Sequence, residues 1–509
     1  MHNKILKIGI DFGTNFSFAC FEHGDAVCSL VPSKETYGIP SVFYTDGKTK
    51  LVGRTAERRA AKHPECAVRS VKRRLKEGCV LEQGGVKYTP QMVVEEIIAY
   101  VVEMAEQQLT NVYMEEYDQI EATIAVPVDF SEPMIYMIKE AAGKVKLRNG
   151  SNLIVTSLIT EPVAASIEYF GVKKEQDAKI MVFDLGGGTF DAAIVEARSE
   201  GKVPYKVLDQ AGNGNLGGDK WDQAVADWLK ERYTEQTGKK VPRTAEENFL
   251  IEGRRVKEEL TDLEETIASV LVGGKYFEVT VTRAEFEAFT AHLMQQAVDK
   301  VRELMSRNSD TKINHVVLTG GSSYMPQVRN SLVQSGIFGE GTDILMIKPE
   351  HAIAGGAARY AASLKRPDIG STDTLDDDGI IELISSHGYG IAYVYEKRGH
   401  QTLLNILIPK GSKLPASAST VSRTLYENQQ TSLIRVFETD YTGTETVVPL
   451  SEGREIMSVV LKRNDKKIPK GSESTETLTL AKDGLLSVTS RDHDTGITVN
   501  NSINIERIV

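Results

Sequence analysis

Two short segments of this chain repeat one another in the order acid, apolar residue, glycine, threonine: Asp11-Phe12-Gly13-Thr14 and Asp184-Leu185-Gly186-Gly187-Gly188-Thr189. Each follows an apolar run, Ile8-Gly9-Ile10 or Ile180-Met181-Val182-Phe183, and each leads into a second strand-like segment rather than a helix. A strand–glycine turn–strand unit made twice predicts two similar α/β lobes facing one cleft. A phosphate chain bound without a dedicated helix needs backbone N–H groups that approach it closely, and glycine allows this because it has no Cβ and tolerates φ > 0. The threonine hydroxyls add donors. An aspartate at the strand end cannot touch the anion directly, so its role is to hold a hydrated Mg²⁺ that does. A lone D-x-G-T is most often an ordinary turn; the pair, one with three successive glycines, points to nucleotide phosphates.

The 509 residues exceed what one core holds, which predicts two or three folding units. A formal net charge of −11 argues against general nucleic-acid binding. Cys20, Cys28, Cys66 and Cys79 form no C-x-x-C pair and have no histidines at ligand spacing, so they read as buried free thiols in a reducing compartment. The first residues lack a signal-peptide pattern and no long apolar window appears, so a cytoplasmic protein without a membrane span is expected.

Strand and helix patterns alternate through the first three-quarters. Lys7 to Ile10, Ser17 to Phe21, Glu121 to Pro127 and His315 to Leu318 read as strands, and Lys179 to Glu196 as strand, turn and strand. Gln91 to Leu109 places Val93, Val94, Ile97, Ile98, Val101, Val102 and Ala105 at helical spacing. Composition changes at Arg366 to Gly379, where Pro367, Gly370 and the run Asp376-Asp377-Asp378 read as an exposed connector. Beyond Tyr389 only strands are expected. They include Leu403 to Ile408, and Ser432 to Glu438 with Leu433, Arg435 and Phe437 opposing Ile434 and Val436; Asp483-Gly484 signals a hairpin turn. The expected units are residues 1–365, a linker 366–386 and a β-sandwich 387–509.

Both hairpin sequences, Ile8 to Thr14 and Phe183 to Asp191, resemble the phosphate motifs of the seventy-kilodalton heat-shock chaperones of DnaK type. Ala125-Val126-Pro127 and Thr160-Glu161-Pro162-Val163-Ala164-Ala165 are similar to that family's first interlobe segment, and Ala354-Gly355-Gly356-Ala357-Ala358 to its second interlobe helix. Leu216-Gly217-Gly218-Asp219 and Thr319-Gly320-Gly321-Ser322-Ser323 resemble its later nucleotide motifs. Asn405 to Pro409 and Asp483 to Val488 resemble its substrate-binding β-domain.

The resemblance implies an actin-like (ribonuclease H-like) two-lobed α/β ATPase domain followed by an all-β sandwich that binds extended polypeptide. It implies ATP/ADP and Mg²⁺ as ligands, with K⁺ an optional companion. Asp11 and Asp184 would orient the metal; Lys72, Glu161, Thr189 and Asp191 would serve hydrolysis. Gly13, Thr14, Asn15, Gly186, Gly187, Gly188, Thr189, Gly217, Gly218, Gly320, Gly321 and Ser322 would bind the nucleotide. Arg254, Lys257 and Thr261, at i, i+3 and i+7 of one helix, and Tyr324 would meet adenosine. Partners implied are unfolded polypeptides, a J-domain co-chaperone and a nucleotide-exchange factor, with neither nucleic acid nor membrane.

The chain departs from that pattern at several positions. Arg254 stands where the family usually has glutamate, and Tyr324 where it has arginine. Pro127 matches the switch proline, but Ile135 replaces the relay arginine and Ser157 an arginine that receives J-domains. Glu382 interrupts the apolar linker run, and the sequence ends at Val509, where the family continues into a helical lid. A short form without that lid is therefore expected. Three other readings compete: a filament-forming actin-like protein, a small-molecule kinase, and an ATP-binding sensor or scaffold with little hydrolysis. The β-region disfavours the first two; Ile135 and the altered linker keep the third open.

Overall fold

The computed structural model describes residues 4–24, 26–35, 37–76, 78–200, 203–339, 341–364, 380–385, 387–395, 401–463, 467–481 and 485–504. Most of the connector 366–386, including the acidic run Asp376 to Asp378, lies outside them, as does the turn Asp483-Gly484. The chain divides into two compact units, Met1–Tyr205 with Asp209–Ile380, and Lys206–Leu208 with Ile381–Val509.

The first unit is built on two mixed sheets of matching design. In the first, Ile5–Phe12 pairs in parallel with Gln119–Val126 and antiparallel with Phe16–His23. In the second, Ala178–Leu185 pairs in parallel with His315–Thr319 and antiparallel with Phe190–Ala197. A further parallel strand follows in each, Ile154–Thr160 beside Gln119–Val126 and Asp343–Met346 beside His315–Thr319. The duplication in sequence is thus a duplication of strand pairing. Both faces of these strands are covered, which accounts for continuous apolar runs in place of alternation.

The helix Pro90–Asn111 begins where Thr89 accepts a bond from the Met92 N–H, with proline in its first turn, and all seven of its expected apolar positions are buried. Helices Glu161–Lys173 and Pro349–Ser363 pack against one another at a small-residue crossing. A Cβ on Gly356 would lie 1.7 Å from Ala164 O, and one on Gly9 would lie 2.2 Å from Ala358 N. Arg359 spans the crossing, meeting Glu168 at 2.8 Å and Glu22 at 3.1 Å.

The second unit holds two antiparallel sheets. One runs Val447–Pro449, Gln401–Ile408, Gly388–Tyr395, Thr431–Thr439, Gly453–Lys462; the other runs Ala416–Arg423, Glu473–Leu480, Leu485–Asp492, Thr498–Asn504. Glu473–Leu480 alternates strictly between buried and half-buried residues, as a sheet with one wet face should. Residues 383–385, within the stretch read as linker, bond to 411–414 of this unit.

Two expectations need correction. In Thr431–Thr439 the alternation breaks: Leu433 is exposed while Val436 and Phe437 are both buried, because a β-bulge between these two shifts the register. Of the four free cysteines only Cys20 is buried; Cys28, Cys66 and Cys79 are half-buried, lying in short strands, a 3₁₀ turn and a loop near the surface. Among the described residues no helix is long and apolar enough to cross a membrane.

Candidate functional site

Asp11 and Asp184 both lie one residue before the end of a central strand, so equivalent positions of the two sheets present carboxylates to their glycine turns. The turns face each other closely. A Cβ on Gly188 would come within 2.3 Å of Thr14 Oγ1, and one on Gly187 within 2.3 Å of Asn15 Nδ2, an approach only glycine permits. Thr14, Thr189 and Asp191 are buried. At Gly13 the carbonyl accepts a bond from Ser41 Oγ at 2.8 Å.

Behind the turns Lys72 and Glu161 form a buried ion pair at 2.8 Å, with the ammonium also 5.6 Å from the Phe12 ring and 5.4 Å from that of Phe130. Asp11, Glu161, Asp184 and Asp191 form one electrostatic cluster. Burial, then the Glu161 charge, pushes Asp11 up to about 7 against the pull of Lys72. Burial, Glu161 and Asp11 raise Asp184. Burial, Glu161, Asp129 and Asp184 raise Asp191, although the Val128 N–H donates to it at 2.8 Å. Asp184 Oδ1 and Asp191 Oδ2 are buried with no hydrogen-bond partner among the described residues. Four acids around one ammonium, two of them with an orphaned oxygen, have the chemistry of a cation site. Among the described residues no group of three or more His, Cys, Asp or Glu side chains is placed to hold a metal ion directly.

The later motifs close on the second turn. Gly218 N–H donates to Gly186 O at 2.9 Å and Ser322 Oγ donates to the same carbonyl at 3.0 Å. Gly217 meets Gly188, where a Cβ would lie 2.4 Å from the Gly188 carbonyl carbon. Gly320, at φ 80°, passes Asp184 Oδ1, while Gly321 faces open space. On the helix Glu246–Asp262, Lys257 is buried and pairs with Asp222 at 2.5 Å, its Nζ 3.4 Å from Gly218 O. Arg254 pairs with Asp222 at 3.0 Å and with Asp219 at 3.5 Å. Thr261 stands apart from the turns; its hydroxyl donates to Lys257 O at 3.2 Å, and its own carbonyl accepts from Arg283. Tyr324 is exposed.

Asp129 and Asp222 join this cluster without having been singled out by sequence, and Asp219 joins it from the Leu216-Gly217-Gly218-Asp219 motif. Asp219 carried the one available signal, an acid in a helix first turn directly after Gly217-Gly218. Ile135 is buried, and Ser157 Oγ lies 2.6 Å from Thr123 Oγ1. A cavity of about 510 Å³ elsewhere in the unit, lined by Lys50, Tyr100, Glu106 and Arg148 among others, includes none of the candidate residues.

Together these features define a class: an α/β unit whose duplicated glycine hairpins close on a buried acid cluster, with an all-β unit after it in the chain. A family model described as Hsp70 protein matches residues 75–508. The DnaK chaperone proteins of Thermotoga petrophila and of Thermotoga sp. (strain RQ2) are each 27% identical over 507 residues, covering 97% of this chain and 79% of theirs. The chain belongs to the Hsp70 family.

Proposed function

We propose that this chain is a chaperone ATPase of DnaK type, binding ATP or ADP with Mg²⁺ (and K⁺ as an optional companion), hydrolysing ATP, and binding unfolded or extended polypeptide. The observation that carries the reading is the face-to-face pair of glycine turns beside two buried carboxylate oxygens that have no hydrogen-bond partner among the described residues. The backbone N–H groups of Gly13 to Asn15 and Gly186 to Thr189 would receive the phosphates, with Gly217, Gly218, Gly320, Gly321 and Ser322 completing the cradle. Asp11 and Asp184 would hold the hydrated metal. Bound Mg²⁺ would supply charge neutralisation as the γ-phosphoryl group leaves. Lys72, fixed by Glu161 and two aromatic faces, brings an ammonium already desolvated, so its attraction for developing charge costs little reorganisation. Glu161 and Asp191, both with carboxylates in that cluster, would orient the attacking water, and Thr14 and Thr189 would contact the transferred group. Arg254, Lys257, Thr261 and Tyr324 would meet adenosine.

The all-β unit would hold polypeptide by strand-edge hydrogen bonds and an apolar pocket. A J-domain co-chaperone and a nucleotide-exchange factor are proposed from family membership. The proposed organisation is an ATPase domain 1–365, a linker 366–386 and a substrate domain 387–509.

Calorimetry with Mg²⁺ and ADP, followed by phosphate-release kinetics, tests the reading. Wild-type chain is expected to bind nucleotide and to release phosphate, and Lys72→Ala to slow release by about 100-fold or more. Absence of nucleotide binding would sink the proposal. Phosphate release indifferent to Lys72→Ala would favour the sensor reading instead.

A further inference from the structure

The cavity of about 510 Å³ that lies away from the glycine turns is built by three separate segments. Its floor is one face of the helix Pro90–Asn111, where Glu96, Tyr100, Glu103 and Glu106 recur at three- or four-residue spacing over about 15 Å of helix axis. One wall is the short strand Lys50–Val52, and the other is the stretch Lys146 to Arg148. That second wall is fixed in place. Leu147 N–H donates to Ser151 O at 2.9 Å, and Arg148 N–H donates to Glu106 Oε1 at 2.9 Å. Glu106 is only 2% exposed and accepts from the Tyr117 hydroxyl as well. A preformed space of this size suits a small organic molecule.

Charge selects the kind of molecule. Three acidic and three basic side chains line the cavity, so the lining has no formal net charge and favours neither a polyanion nor a polycation. Most of these charges are already engaged. Lys50 pairs with Glu96, Lys146 bonds to Asn152 Oδ1, and Glu106 holds Tyr117 and the Arg148 N–H. Glu103 accepts an amide bond from Gln107 at 3.3 Å, but among the described residues no ion pair reaches Glu103 or the Arg148 guanidinium. One carboxylate and one guanidinium thus line the same cavity without pairing with each other, while Tyr100 and Leu147 give it apolar surface. The complement of that lining is a molecule with an ammonium, a carboxylate and an apolar body, which gains a charge-assisted bond at each end.

We propose that this cavity binds a small apolar zwitterion of the free-dipeptide class, its ammonium on Glu103, its carboxylate on Arg148 and its side chains against Tyr100 and Leu147. The site is separate from the glycine turns and does not depend on the nucleotide reading. The test is ligand-observed NMR titration of the full chain with leucyl-phenylalanine, its N-acetyl form and its C-terminal amide. Each is titrated into wild type, Glu103→Gln, Arg148→Gln and Ala99→Trp, the last of which fills the cavity from its floor. Wild type is expected to bind the free dipeptide with a Kd of about 0.1 mM, and each blocked form about tenfold more weakly. Glu103→Gln should weaken the free dipeptide about tenfold yet leave the N-acetyl form unchanged, because the ammonium it would have met is already gone. Arg148→Gln should do the same with respect to the amide. Ala99→Trp should abolish binding of all three. The proposal is overturned if wild type does not bind the free dipeptide, if blocked forms bind as tightly as the free one, or if the two charge variants keep wild-type affinity. Undiminished binding by Ala99→Trp would also overturn it and would move the dipeptide to another surface of the chain. Should Ala99→Trp not fold, Glu103→Gln and Arg148→Gln, both changes at exposed residues, decide the matter by themselves.

Discussion

Lys72 is 2% exposed and Glu161 6%, so neither charge can be deleted without stranding the other in a low-dielectric interior. Lys72→Met alone is expected to destabilise the chain by about 3–5 kcal/mol, and Lys72→Met/Glu161→Gln to recover most of that loss, as read by urea unfolding. A second buried pair lies in the all-β unit. Arg463 and Asp492 meet at 2.6 Å, and Ser474, Ser432 and Thr495 satisfy their remaining atoms. Burial alone would push Asp492 up, but the Arg463 and Thr495 bonds outweigh it and hold the group at about 2. The folded value lies below the ordinary 3.8, so as the pH falls the unfolded chain takes up this proton first. The resulting stabilisation, on the order of 2 kcal/mol, should be complete above pH ~5 and disappear as the pH falls through about 4 towards 2. Urea unfolding at pH 6 and pH 2.5 should show that increment in wild type and lack it in Asp492→Asn. Glu476 works in the opposite sense: burial raises it, despite bonds from Ser422, Ser490 and Tyr393, so its share of stability is lost as the pH rises through its folded value.

Helix contacts in the α/β unit depend on what is missing from side chains. The crossing of Glu161–Lys173 over Pro349–Ser363 leaves no room for a methyl group at Gly356. Gly356→Ala must separate the two helices, and a loss of about 3 kcal/mol, the upper end for overpacking, is expected in thermal melting. Gly321→Ala is the control: a Cβ there meets nothing within 4 Å, so its effect on stability should stay within about 0.5 kcal/mol. Element by element, helix Pro90–Asn111 was legible because its periodicity is local, and the paired hairpins were legible because each is one strand, one glycine turn and one strand. The bulge in Thr431–Thr439 was not. Nothing in Leu433 to Phe437 marks it, because it is set by pairing with Gly453–Lys462, a partner distant in sequence.

For the whole molecule the question is whether the two units work as one. Steady-state ATP hydrolysis is expected to rise about two-fold or more when an unfolded polypeptide is added, if binding in one unit alters the barrier in the other. A flat response across saturating peptide would mean independent modules. By itself the sequence determined the duplicated hairpins, the glycines that let chain approach chain, the buried face of the long helix and the passage to an all-β region. These follow from spacing within a few residues, which local geometry reads directly. Only the tertiary structure decided that Thr14 meets Gly188, that Lys72 is engaged by Glu161 89 positions away, and that Asp219 faces Asn15, Ser70, Arg73 and Arg254. Charges distant along the chain carry no mutual signal in one sequence. Their pairing exists only once the fold brings them within Coulomb range.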